Sequence, residues 1–259
     1  LCCSASAFAA PTESDTLTTG TVMESPSDEN VCSYRDYQSA NSELALADTR
    51  LETKAEGNGT DLNQPGDSIS LKFTVEKPGW YETHITYRAL PGTGGDILLS
   101  LLLDGQLPYA QMSNLRLNRL WKNSTEEFQT DEDGDQFSPE QEEVFQWQTA
   151  KLYDSEGFIT EPLRLALSAG EHELTIVLDS ECVTVGSVIL AQPEQLPTYE
   201  EYAKQHQGAD YEGEKLIYEG EMAALKSQRM YIPMSARNDA DVSPADPYKK
   251  LNNYIGGTN

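Results

Sequence analysis

The run SISLKFTV, Ser68–Val75, sets Ile69, Leu71, Phe73 and Val75 on one side of an extended chain and polar residues on the other. Side chains of a strand alternate between faces, so a period of two held over eight residues is the pattern of a half-buried strand. Lys77-Pro78-Gly79 turns the chain, and WYETHITYR at residues 80–88 continues the pattern with Tyr81, Thr83, Ile85 and Tyr87 in phase. ILLSLLLDGQLPY (97–109) is apolar on both faces, as a strand in the middle of a sheet should be, and then meets the turn pair Asp104-Gly105. NLRLNRLWK (114–122) and VFQWQTAKLY (144–153) read as strands around a polar insert, EPLRLALSAGEHELTIVLD (161–179) as a hairpin about Ala169-Gly170, and VTVGSVILA, Val183–Ala191, as the last strand. Strands of this length with regular turns predict an all-β fold, an antiparallel β-sandwich. No βαβ rhythm interrupts them, which excludes a Rossmann-type domain.

The flanks differ in texture. LCCSASAFA is apolar and small, and Ala7-Phe8-Ala9 has the form of a signal-peptidase site, so residues 1–9 read as the remnant of a secretion signal. Residues 10–32 are Thr, Ser, Glu, Asp and Pro with almost nothing to bury, the composition of a disordered tether. Residues 33–52, SYRDYQSANSELALADTRLE, suit a short helix or an edge strand, and the sandwich is expected to span 33–192. Pro193 and Pro197 close it. TYEEYAKQH then carries Thr198 three residues before Glu201, a capping box that predicts a short helix within a linker at 193–213.

Residues 214–259 read as the truncated start of a second module. Structure resumes at KLIYEGEMAALKS (215–227), and the chain ends on LNNYIGGTN, whose Gly256-Gly257-Thr258-Asn259 echoes Gly57-Asn58-Gly59-Thr60. In the earlier copy an alternating strand soon follows, and a domain-sized period separates the two.

The charge bounds the partners. Eighteen Lys and Arg against 43 Asp and Glu give a formal charge of −25, which repels phosphate backbones and anionic lipid and sets nucleic-acid binding aside. No run approaches the ~20 apolar residues of a membrane-spanning helix, so no direct membrane insertion is expected. Two of four cysteines lie in the signal remnant; Cys32 and Cys182 either pair after export or stay reduced.

PGWYETHITYR, LLDGQLPY, LRLNRLWKN, LALSAGEHELTIVL, VILAQPEQLPTYEEYAKQH and, further on, YEGEMAALKS resemble the β-jelly-roll modules of bacterial extracellular solute-binding proteins of sugar ABC transporters. The resemblance covers about residues 55–206 and the start of a second copy from Ile217. Those modules are similar to carbohydrate-binding modules of the galactose-binding-like fold. The resemblance implies an exported, non-catalytic module at the N-terminal end of such a protein, meeting an oligosaccharide or other glycan and working with a membrane permease. Two alternatives are an accessory carbohydrate-binding module of an extracellular glycoside hydrolase and a structural spacer. Modules of this fold often carry Asn or Asp just before the last apolar strand; here that place reads Val185-Gly186-Ser187-Val188.

Sugars are held by an aromatic face against the C–H side of the ring, with planar polar groups on the hydroxyls. Tyr109, Trp121 and Trp147, near Asn114, Arg116, Arg119, Lys122 and Asn123, supply that mixture, so Trp121, Tyr109, Arg119, Lys122, Asn114 and Trp147 are the candidate ligand-binding residues. Trp121 is favoured over Trp147, which alternates with Phe145 as a core residue would. TDEDGDQFSPEQEE (130–143) places Asp131, Asp133, Asp135 and Glu142 at first, third, fifth and twelfth positions of a calcium loop, but Gln136 stands where the sharp turn needs Gly, and a solvated acidic hairpin is preferred. No cofactor is expected. His84, His172 and His206 are the only histidines, and no G-x-S-x-G, H-E-x-x-H or P-loop motif occurs, so no enzymatic activity is expected.

Overall fold

The computed structural model describes residues 31–55, 57–126, 132, 139–205, 213, 223–234 and 254–256. The chain divides into two units, residues 1–117 with 145–194, and residues 118–144 with 195–259.

The first unit is an antiparallel β-sandwich. Its first sheet contains β1 (Leu51–Lys54), β2 (Thr60–Leu62), β4 (Gly79–Ala89), β9 (Gln148–Lys151), β10 (Arg164–Leu167) and β12 (Val183–Ala191). Strands β4 and β12 lie side by side in the middle; β1 and β2 follow one another along the outer edge of β12, and β10 and β9 along the outer edge of β4. The second sheet runs β3 (Ser68–Val75), β11 (Gly170–Ser180), β5 (Ile97–Leu103), β6 (Leu115–Leu117). Strand β5, apolar on both faces, is paired on both sides, as its composition demands.

Period-two alternation closes the two sheets on each other. Tyr81, Ile85, Tyr87 and Ala89 of β4 point into the core with Val183, Val185, Val188 and Leu190 of β12, meeting Leu71, Val75, Leu99, Leu101, Leu174, Ile176 and Leu178 of the second sheet. A short helix, α1 (Tyr34–Ala40), caps one end. Ser33 accepts from the Asp36 N–H at 3.2 Å, satisfying a free helix-start donor. The helix sends Tyr34 and Tyr37 onto Tyr109, with ring centroids 4.7 and 4.9 Å apart, and Tyr37 meets Trp80 edge-on. The tyrosine hydroxyls find partners as buried ones must: Tyr109 donates to the Arg164 carbonyl at 2.9 Å, and Tyr37 accepts from the Ala166 N–H at 3.1 Å. The helix and the edge strand proposed for residues 33–52 both occur, in that order.

Two expectations change. The stretch about Ala169-Gly170 is a corner, not a hairpin: β10 pairs β4 in one sheet, while β11 pairs β3 and β5 in the other. The sequence shows that the chain turns there, at Gly170 with φ +139°, but partner choice is a long-range matter that turn residues do not encode. Residues 114–122 likewise do not form one strand. Leu115–Leu117 ends the second sheet, and the alternation that runs on through Arg119 to Trp121 belongs to the other unit.

In that second unit, β7 (Trp121–Asn123) pairs β8 (Gln141–Glu143), and Trp121 exchanges both backbone hydrogen bonds with Lys226 at 2.8 Å. Helix α2 (Tyr199–Gln205) carries the expected capping box: Glu201 accepts from the Thr198 N–H at 2.9 Å, and Thr198 Oγ1 from the Glu201 N–H at 3.3 Å. Strands β13 (Ile232–Met234) and β14 (Tyr254–Gly256) pair. The signal remnant and most of the tether lie outside the described residues, as do residues 257–259. Cys32 Sγ faces the Pro108 carbonyl and Cys182 Sγ that of Asn63. Among the described residues, no helix is long and apolar enough to cross a membrane.

Ile176, fully buried and opposite Ile69 and Leu101, sits where β11 joins both its neighbours. Ile176→Ala is expected to cost about 2–5 kcal/mol in chemical denaturation of the intact chain.

Candidate functional site

The six candidate residues divide between the units. In the second unit, Trp121 is 7% exposed, beneath the Arg229 guanidinium at 5.8 Å from its ring centroid. Arg119 is buried and paired with Glu143, while Lys122, exposed, pairs with Glu142 at 3.3 Å. In the first unit, Tyr109 is 0% exposed and offers no face to a sugar; the hydrophobic pressure that makes tyrosine a good platform has taken it into the core. Asn114 is exposed in a left-handed turn (φ 52°), its carbonyl accepting from Ser155 Oγ at 2.6 Å. Trp147 is 42% exposed, on the outer face of the first sheet. The choice between the tryptophans is therefore reversed: Trp121 is covered and Trp147 is open.

Trp147 has a built seat. A Cβ at Gly186 would stand 2.8 Å from the indole Cζ3, and one at Gly59 2.9 Å from Cη2, so the tip of the ring fits only because both positions are glycine. Gly186 lies where the pairing of β12 with β4 slips by a residue, a bulge that turns the strand backbone toward the ring. The Arg88 guanidinium stands 5.4 Å from the indole centroid. At Gly186-Ser187, where the resemblance leads one to look for an amide or carboxylate, the strand makes room for an aromatic ring instead.

The outer face continues along β4 as Arg88, Thr86, His84 and Glu82, the side chains that alternation leaves outside the core. Thr86 shares a hydrogen bond with Thr149 of β9 at 2.9 Å, and Thr184 donates to Asp61 at 2.7 Å. Beyond them lies Glu82, a carboxylate only 2% exposed. It is held by Lys151 at 3.4 Å, Arg164 at 3.5 Å and the Glu194 N–H at 3.3 Å, with His84 Nε2 at 3.7 Å. Lys151 also reaches Glu194 at 2.9 Å; that hydrogen bond lifts the lysine pKa and lowers that of Glu194. Burial depresses the His84 pKa, outweighing the opposing pull of Glu82. Among the described residues, buried Arg88 Nε, His84 Nε2 and Arg164 Nε have no hydrogen-bond partner. This face thus joins one half-open aromatic ring to donors not yet satisfied. None of the residues of this face apart from Trp147 was singled out as a candidate from the sequence.

A second constellation is structural. His172 Nδ1 lies 2.8 Å from Asp104 Oδ2, and Nε2 lies 3.3 Å from Ser168 Oγ, a serine–histidine–aspartate set. The Ser168 carbonyl is nearer to Nε2, at 3.0 Å, so this edge of the ring meets the backbone more closely than the hydroxyl. It clasps the β10–β11 corner to the turn after β5. Of the calcium candidates, Asp131, Asp133 and Asp135 lie outside the described residues, and Glu142 is engaged by Lys122. Among the described residues, no group of three or more His, Cys, Asp or Glu side chains could hold a metal ion.

No family model and no curated protein matches this chain. Solved structures that resemble part of it include the GH26-CBM35 β-(1,4)-mannanase of Podospora anserina, at 13% identity over 59% of this chain and 29% of that one, TM-score 0.32. The catalytic unit of the GH87 α-1,3-glucanase of Streptomyces thermodiastaticus is 16% identical over 60% of this chain and 29% of its own, TM-score 0.31. A β-glucosidase of Paenibacillus barengoltzii is 13% identical over 55% of this chain and 10% of its own, TM-score 0.29. The chain thus spans less than a third of the length of each, and likeness at this level carries no functional assignment.

Gly186→Ala should displace the indole. With 5-fluorotryptophan incorporated, one fluorine resonance should move, the one absent from Trp147→Phe, while the other two stay in place. The depressed His84 pKa gives a second expectation. The unfolded chain takes up a proton near pH 6.5 while the folded imidazole resists it, so this contribution is present above that pH and lost as pH falls toward the folded value. The melting temperature should drop on going from pH 7 to about 5.5, and His84→Asn should flatten that slope.

Proposed function

We propose that the first unit is a non-catalytic carbohydrate-binding module that captures a glycan on the outer face of its first sheet, with Trp147 as the stacking platform. The observation that carries this reading is the indole itself: seated between Gly59 and Gly186, 42% exposed, and bordered by Arg88 and the Thr86–Thr149 pair. A fixed aromatic surface costs little conformational entropy on binding, and neighbouring hydroxyls and a guanidinium suit the polar rim of a pyranose. Capture would be an equilibrium, with no bond made or broken.

The resemblance of residues 55–206 to jelly-roll modules of solute-binding proteins supports placing this module in an exported sugar-uptake protein that works with a membrane permease. The alternative, an accessory module of an extracellular glycoside hydrolase, uses the same face. A two-lobed binding domain in the same reading frame would favour the first, a catalytic domain the second.

Glycan-array screening followed by titration calorimetry should reveal an oligosaccharide ligand whose affinity falls roughly tenfold or more in Trp147→Ala, a loss of about 1.4 kcal/mol or greater. Lys122→Ala, on an exposed salt bridge of the other unit, should leave it unchanged. A flat response across oligosaccharides would reject the proposal.

A further inference from the structure

Resting on that reading, we infer that the sugar taken by this face carries a carboxylate, a uronic acid unit, which Arg88 receives while Trp147 stacks on the ring. Arg88 lies over the half-open indole, its guanidinium carbon 5.4 Å from the ring centroid. Its Nε is buried without a hydrogen-bond partner, and among the described residues no carboxylate pairs with it. The two acids nearest in the sheet and along the strand have partners of their own. Asp61, reached through Thr184, is engaged by the Thr184 hydroxyl at 2.7 Å, and Glu82 is neutralised by Lys151 and Arg164 further along β4.

The acids on this face are therefore committed, while the guanidinium over the indole answers no acid among the described residues. A planar fork of N–H donors matches a carboxylate in two-point geometry, and a neutral hydroxyl supplies no charge to answer it. A hexuronic acid places its carboxylate at the edge of the same ring whose C–H side stacks, so one residue of such a glycan satisfies both groups at once.

The test is calorimetry of the full chain with galacturonic and glucuronic acid oligosaccharides, the corresponding neutral galactose and glucose oligosaccharides, and a sulfated galactan. The uronic oligosaccharides should bind at least about tenfold tighter than their neutral counterparts. Arg88→Gln should remove that preference, and Arg88→Lys, which keeps charge and the aliphatic stem but loses the fork, should retain only part of it. Circular dichroism melts verify that both variants fold. Neutral oligosaccharides bound equally well, with Trp147→Ala still abolishing binding, would overturn the acid assignment and leave the carbohydrate reading standing. A sulfated galactan bound as tightly as the uronic oligosaccharides would overturn the carboxylate assignment. No binding to any of them would overturn both.

Discussion

Strand β4 runs through the middle of the first sheet, paired with β12 on one side and with β9 and β10 on the other, and its alternation decides what the unit can present to a partner. Tyr81, Ile85, Tyr87 and Ala89 must go inward, because burying them is what closes the sandwich. Glu82, His84, Thr86 and Arg88 must then go outward together. The core and the candidate site are two faces of one strand. A register slip by one residue would exchange them, which is why the aromatic cluster of Tyr34, Tyr37, Tyr109 and Trp80 at the capped end matters to the site: it pins β4 where its outer row faces solvent.

The outer row is graded. At one end, Glu82 is nearly inaccessible, and a buried carboxylate is tolerable only because Lys151, Arg164 and the Glu194 N–H surround it. Removing one of those cations would leave charge unbalanced in a poorly solvated place, so this end is rigid and committed. At the other end Arg88 Nε has no hydrogen-bond partner among the described residues and the indole is half-open. Between them the paired threonines offer hydroxyls that can rotate to suit an incoming group. Rigidity at one end and unspent hydrogen-bonding capacity at the other is the arrangement a preorganised binding surface needs.

Much of this fold is legible in the sequence, because period-two alternation in β3, β4 and β5 reports burial directly, and the Thr198–Glu201 cap is a local signal with a local answer. The site is far less so. Trp121 and Trp147 both follow alternating stretches, and spacing cannot say that the first would be covered by Lys226 and Arg229, a hundred residues on, while the second would come to rest on Gly59 and Gly186. The glycines were the available clue. Gly186 breaks an otherwise β-branched and aliphatic run in VTVGSVILA, and a glycine inside a strand often marks a bulge or the close approach of another group. Read as the loss of an amide, it hid the platform that it makes room for. The Ala169-Gly170 corner failed for a related reason: a turn signal specifies that the chain reverses, and only the competition among distant strands specifies which sheet receives it.

An anionic ligand for a chain of net charge −25 looks contradictory until distance is considered. At physiological ionic strength, charges more than a Debye length away, roughly 8 Å, are largely screened, so most of the acidic surface acts on an approaching glycan only weakly. Next to the indole the balance differs: Asp61 is hydrogen-bonded to Thr184, Glu82 lies at the far end of the outer row with its own cations, and Arg88, over the indole, meets no carboxylate among the described residues. The overall charge would slow the encounter of an acidic sugar, whereas the local arrangement governs how long it stays. Selectivity would then follow from geometry: a polyanion without a ring to stack would meet the repulsion and little else, while a uronic acid residue would meet the guanidinium and the aromatic ring together.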